Sequence, residues 1–136
     1  MFKLEKLPQL QNKEFILIID DSGSIMNDYE KIKQTIIDMF SDNIKCKVIE
    51  TSYNNVYEWN FNSIEDLTKL KLKGLSGCYL EETLLSISDE EKQNTPVVIV
   101  TDGYISKLNL ESFSNATILS TDQVPHYNGY VNLVFI

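Results

Sequence analysis

"FILIIDDSGSIM", residues 15–26, decides how this chain is read. Five apolar residues run into two aspartates, and two serines follow around a glycine. A short β-branched run with charge before it and Asp, Ser and Gly after it reads as a buried strand over 15–19. Such a strand drives Asp20 and the hydroxyls of Ser22 and Ser24 out at its carboxyl end. A second run, "PVVIV" at 96–100, repeats the pattern and ends in Thr101, Asp102 and Gly103.

The stretches between these runs supply the rest of the layout. Tyr29, Ile32, Ile36 and Phe40 recur at helical spacing and predict an amphipathic helix over 28–40. Val48 and Ile49 mark a second strand, "SYNN" at 52–55 a turn, and "VYEWNF" at 56–61 a third strand antiparallel to the second. Ser63 caps a short helix through Leu70, and "KGLSG" at 73–77 is a loop. Leu80, Leu84 and Ile87 share one face of a further helix, while "ATILS" and "YVNLVFI" add two strands. Continuous apolar strands separated by helices predict an α/β fold of one domain, residues 1–136, a Rossmann-like three-layer sandwich. Its sheet is mostly parallel and carries helices on both faces. In such sheets, sites lie outside the carboxyl ends of the strands, so Asp20 and Asp102 are expected on the same edge.

Bulk composition narrows the partners. Hydrophobic residues make up 43% and charged residues 24%, as in ordinary globular proteins. A net charge of −8 repels nucleic acid and anionic lipid, so no nucleic acid and no membrane is expected as a partner. The lysines are scattered apart from "KLKLK" at 69–73, which reads as a solvated segment. Residues 1–15 carry charge throughout and do not read as a secretory signal, and no apolar run reaches spanning length. Cys46 and Cys78 form neither a metal-type spacing nor a disulfide framework, and are read as reduced thiols of a cytoplasmic protein.

Asp20, Ser22 and Ser24 alternate as D-x-S-x-S. In an extended loop alternate residues point the same way, so one carboxylate and two hydroxyls converge, with Asp102 approaching from the neighbouring strand end. Hard oxygen donors with two negative charges suit magnesium, which keeps waters, better than calcium, which wants more ligands. Zinc would want His or Cys. The competing reading treats residues 20–24 as no more than a turn and a helix cap, roles for which Asp, Ser and Gly are equally suited.

"IIDDSGSI" at 18–25 resembles the signature of von Willebrand factor A-type (vWA) domains, with their metal-ion-dependent adhesion site. "SIEDLTKLKLKGLSG" at 63–77 resembles the approach to the loop that contributes a threonine in that family, and "VVIVTDG" at 97–103 the strand that ends in its last metal-site residue. The resemblance implies a parallel sheet with one short antiparallel edge strand, and Mg2+ or Mn2+ bound directly by Ser22 and Ser24. Asp20 and Asp102 would act through water or hydrogen bonds. At the family's threonine position Gly77 is followed by Cys78, and a thiol is a poor magnesium ligand. Thr83 is the nearest threonine, a turn or more into the next helix.

The function implied is a non-enzymatic interaction module. A partner's Asp or Glu fills the open coordination position, and small intracellular members associate with ATPases or larger assemblies. One alternative is a vWA fold with a degenerate site that binds partners without metal. Another is a metal-dependent phosphotransfer or phosphatase protein, since "IIDD" resembles the acidic pair of response-regulator receivers. That reading needs an aspartate where Thr51 stands, and a D-x-D phosphatase needs one where Ser22 stands. The lone His126, in "VPHYNGY", reads as a surface-turn residue without a nucleophile beside it.

Overall fold

The run at 15–19 forms the centre of strand β1 (Glu14–Asp20), in which only Glu14 is exposed. A computed structural model describes residues 14–20, 29–39, 45–51, 56–63, 65–66 and 80–136. Helix α1 (Tyr29–Met39) leads from β1 to β2 (Lys45–Thr51), and β3 (Val56–Phe61) follows. Helices α2 (Leu80–Ser86) and α3 (Asp89–Asn94) precede β4 (Val97–Thr101). The remaining strands are β5 (Leu108–Asn109), β6 (Ala116–Ser120), β7 (Tyr127–Asn128) and β8 (Val131–Phe135).

Six strands form one sheet in the order β3-β2-β1-β4-β6-β8. β3 runs antiparallel to β2 at one edge, and every other pairing in this sheet is parallel. The fold is therefore the α/β Rossmann-like sandwich expected, with the single antiparallel edge strand. Its physical cause is visible in β4 and β6, whose residues are all buried. A parallel strand apolar on both faces must be covered on both.

Register fixes which residues share a face. Ile18 lies beside Ile49 on one side and Ile99 on the other, and Ile99 lies beside Ile118. These residues, with Ile16 and Val97, form a core with Leu80, Leu84 and Ile87. Phe15, Leu17, Ile19, Val48, Val98, Val100 and Leu119 alternate with them on the opposite face and are buried too. In α1, Ile32 is buried while Glu30, Lys31 and Gln34 are exposed, as an amphipathic helix requires.

Three local features depart from the expected layout or fill it in. The helix expected to carry Leu80, Leu84 and Ile87 stops at Ser86, because Ser88 caps a separate helix, α3. The Ser88 hydroxyl accepts the Glu91 N–H at 3.1 Å and donates to the Glu91 carboxylate at 3.2 Å. The short β5–β7 ladder was not expected; the Leu108 N–H donates to the carbonyl of His126, whose side chain is exposed. Ser63 does accept the Asp66 N–H, at 3.4 Å, and Asp66 accepts from the Asn62 N–H at 3.0 Å. The remainder of that expected helix, with the turn at 52–55 and the loop at 73–77, lies outside the described residues. Among the described residues no helix is long and apolar enough to cross a membrane.

Candidate functional site

The chain leaves β1 for β2 on one side of the sheet, while β4 pairs with β1 on the other. In open α/β sheets a crevice forms at such a reversal, outside the carboxyl ends of the two strands. Asp20 is the last residue of β1, and Asp102 directly follows β4. Both carboxylates stand at this edge and both are buried, at 0% and 3% exposure. A buried carboxylate is costly unless hydrogen-bonded, and the bonding here is specific.

The Thr101 hydroxyl donates to Asp20 Oδ2 at 2.9 Å, across 81 residues of sequence. The same hydroxyl oxygen accepts the Gly103 N–H at 3.1 Å. Asp102 Oδ1 accepts the Tyr104 N–H at 3.1 Å, so its side chain closes a turn two residues long. Gly103 stands within that turn at φ +91°, where a side chain is strained and a β-carbon would run into the Gln123 carbonyl.

The turn after β4 is laced to the loop after β6. The Thr121 N–H donates to the Thr101 carbonyl at 3.0 Å and the Gln123 N–H to the Asp102 carbonyl at 2.8 Å. The Ser120 hydroxyl donates to the Gln123 carbonyl at 2.6 Å, and the Tyr104 hydroxyl to Asp122 at 3.0 Å. Beside this lacing a groove of about 570 Å3 opens between Tyr104, Val124 and His126, and no carboxylate lines it. A second cavity, of about 400 Å3, lies at the opposite end of the strands around Lys47, Glu58 and Glu91.

Of the five expected site residues, Asp20 and Asp102 are brought to one edge on neighbouring strands. Ser22, Ser24 and Cys78 lie outside the described residues, as does Asp21. Among the described residues no group of three or more His, Cys, Asp or Glu side chains is placed to hold a metal. The expected set is of another kind, two carboxylates with hydroxyls. The donors described, oxygen only, fit a hard divalent cation and not zinc. Thr83, the nearest threonine in sequence, is buried within α2.

Sequence reasoning missed Thr101 and Ser120. Their signal was parity: Ile18 and Asp20 alternate onto one face, as do Ile99 and Thr101, and Ile118 and Ser120. Register places Ser120 beside Thr101, and the Thr101 hydroxyl is bonded to Asp20, so a polar row crosses the carboxyl ends of three adjacent strands. A third buried acid, Glu50, pairs with Ile19 and so belongs to the other face. Cys46 is buried in β2, and burial, reinforced by the charge of Asp66, pushes its thiol up to about 12. It is an inert thiol and takes no part in the site. No protein-family model matches the chain, and no curated protein matches it.

Proposed function

We propose that this chain is a non-enzymatic protein-interaction module of the vWA type. Asp20, Ser22, Ser24 and Asp102 hold Mg2+ or Mn2+, with Cys78 at the family's threonine position. An Asp or Glu of a protein partner completes the coordination. When bound, the cation supplies the positive charge that draws that carboxylate in. The carrying observation is the pair of buried acids, Asp20 and Asp102, closing adjacent parallel strands at the reversal of strand order. The groove at Tyr104 and Val124 supports the reading, because both side chains are more than half exposed beside the turn that carries Asp102. The partner on this reading belongs to an ATPase or larger assembly in the cytoplasm. The net charge of −8 speaks against nucleic acid and anionic membrane in its place.

The residues of the chain divide the work. Ser22 and Ser24 are neutral donors and leave the cation's charge largely uncancelled. Asp20 and Asp102 hold the charge in place from the strand ends. Calorimetric titration with Mg2+ and Mn2+ tests this directly. The wild type binds, and Asp102→Ala binds neither ion while remaining folded. Equal affinity in both proteins would place the ion elsewhere. Phosphatase and phosphotransfer assays with Mg2+ are expected to show no turnover above an Asp20→Ala control; turnover abolished by that change would make the protein an enzyme.

One observation favours a second reading, in which the fold binds partners without metal. Cys78 is a soft thiol where a hard hydroxyl is wanted. Absence of wild-type binding in the same titration selects that reading.

A further inference from the structure

We infer that Thr101 is the positioning residue of the cation site, setting the orientation of Asp20 and linking it to the turn that carries Asp102. The inference rests on the metal-binding reading proposed above.

The geometry fixes where the single hydroxyl proton of Thr101 goes. The Gly103 N–H donates into the Thr101 oxygen at 3.1 Å. The hydroxyl therefore spends its own proton on Asp20 Oδ2, at 2.9 Å. Both contacts are buried, and Thr101 and Asp20 are each 0% exposed. Away from water such a bond is strong, and leaving either partner unpaired is costly. One oxygen of the Asp20 carboxylate is thus anchored by a residue of the neighbouring strand.

The hold extends to the second acid. Thr101 immediately precedes Asp102, and its hydroxyl is bonded to the N–H of Gly103, the residue just after. One side chain therefore fixes the Asp20 carboxylate and the start of the Asp102 turn together. The backbone of Thr101 is anchored in turn, its carbonyl accepting the Thr121 N–H at 3.0 Å. Residues that orient metal-site carboxylates without touching the ion typically carry 10- to 100-fold of affinity, on the order of one to two decades.

A purely structural role, sealing the end of β4, predicts something different, and cation selectivity separates the two. Magnesium demands near-ideal octahedral geometry, whereas calcium accepts a looser arrangement. Removing this anchor from one Asp20 oxygen costs magnesium more than calcium. Titration of the full chain with Mg2+ and Ca2+, beside melting temperatures, compares wild type, Thr101→Val and Thr101→Ser. The valine variant keeps the shape and loses the hydroxyl. Its Mg2+ affinity is expected to fall about tenfold, its Ca2+ affinity less, and its Mg2+/Ca2+ preference with them. The serine variant keeps the hydroxyl and the wild-type preference. Should the valine variant fail to fold, Thr101→Ala removes the same hydroxyl with less bulk and reads out the same ratio.

An unchanged Mg2+ affinity in the folded variant, or equal losses for both ions, overturns the inference. Failure of the metal reading itself shows elsewhere, as a wild type that binds no cation at all, and the inference then falls with it.

Discussion

A β-carbon on Gly103 would collide with the carbonyl oxygen of Gln123, in the loop after β6. The backbone there has φ +91°, a conformation that L side chains rarely adopt. Two penalties therefore act together on Gly103→Ala, strain and collision with a backbone atom that cannot swing aside. The expected loss is about 2 kcal/mol of stability, within the range for a forced left-handed residue. Urea denaturation measures it, and a loss below about 0.5 kcal/mol, the size of an ordinary surface change, would refute it. Because Asp102 adjoins Gly103, the Mg2+ affinity of the folded variant is expected to fall as well.

Lys47 lies 3.1 Å from Glu91 and 3.5 Å from Glu58, linking β2 to α3 and to the edge strand β3. For Glu91, burial works to raise the carboxyl, but the hydrogen bond and charge of Lys47, with Ser88 behind them, outweigh it and hold the group below its ordinary 4.5. Burial likewise works to lower Lys47, and Glu91 and Glu58 reverse that, holding it above its ordinary 10.5. The depressed acid contributes stability that is full above 4.5 and is lost as pH falls through its folded value. The raised base contributes stability that is full below 10.5 and is lost as pH rises through its folded value. Both side chains are about a third exposed, so solvent screening keeps the pair to about 1 kcal/mol at most. Glu91→Gln should cost up to that amount near neutral pH, and the cost should vanish well below pH 4.5. A cost that stays constant down the acid limb would remove the ion pair as its cause.

The strands that position the site could be read from the chain because burial on both faces leaves an unbroken apolar run, as at 15–19 and 97–100. Asp20 and Asp102 were legible as the residues that end those runs. The break between α2 and α3 was not, because the spacing of Leu80, Leu84 and Ile87 continues across it. Ser88, three residues before Glu91, was nevertheless a readable cap. The strands β5 and β7 span two residues each, too few for any periodicity to show. The Thr101–Asp20 bond lies deeper still. It depends on which strand neighbours β1, and local pattern says nothing of a pairing across 81 residues.

Cys78 lies outside the described residues and is assigned to the site by the resemblance alone. A threonine hydroxyl is a hard neutral donor, whereas a thiol is soft and larger. Cys78→Thr is therefore expected to raise Mg2+ affinity by about 1 kcal/mol, the size of one ordinary polar contact. The wild type should in turn prefer softer ions, Mn2+ or Zn2+ over Mg2+, because a thiol beside a cation gives up its proton readily. The opposing case makes Cys78 a small hydrophobe facing the core. Threonine there buries a hydroxyl, lowers the melting temperature and leaves metal affinity alone. Melting temperature and Mg2+ titration of the single variant separate the cases. Tighter Mg2+ binding at an unchanged melting temperature assigns Cys78 to the site; a destabilised protein with unaltered affinity removes it and leaves Asp20, Ser22, Ser24 and Asp102 to carry the ion.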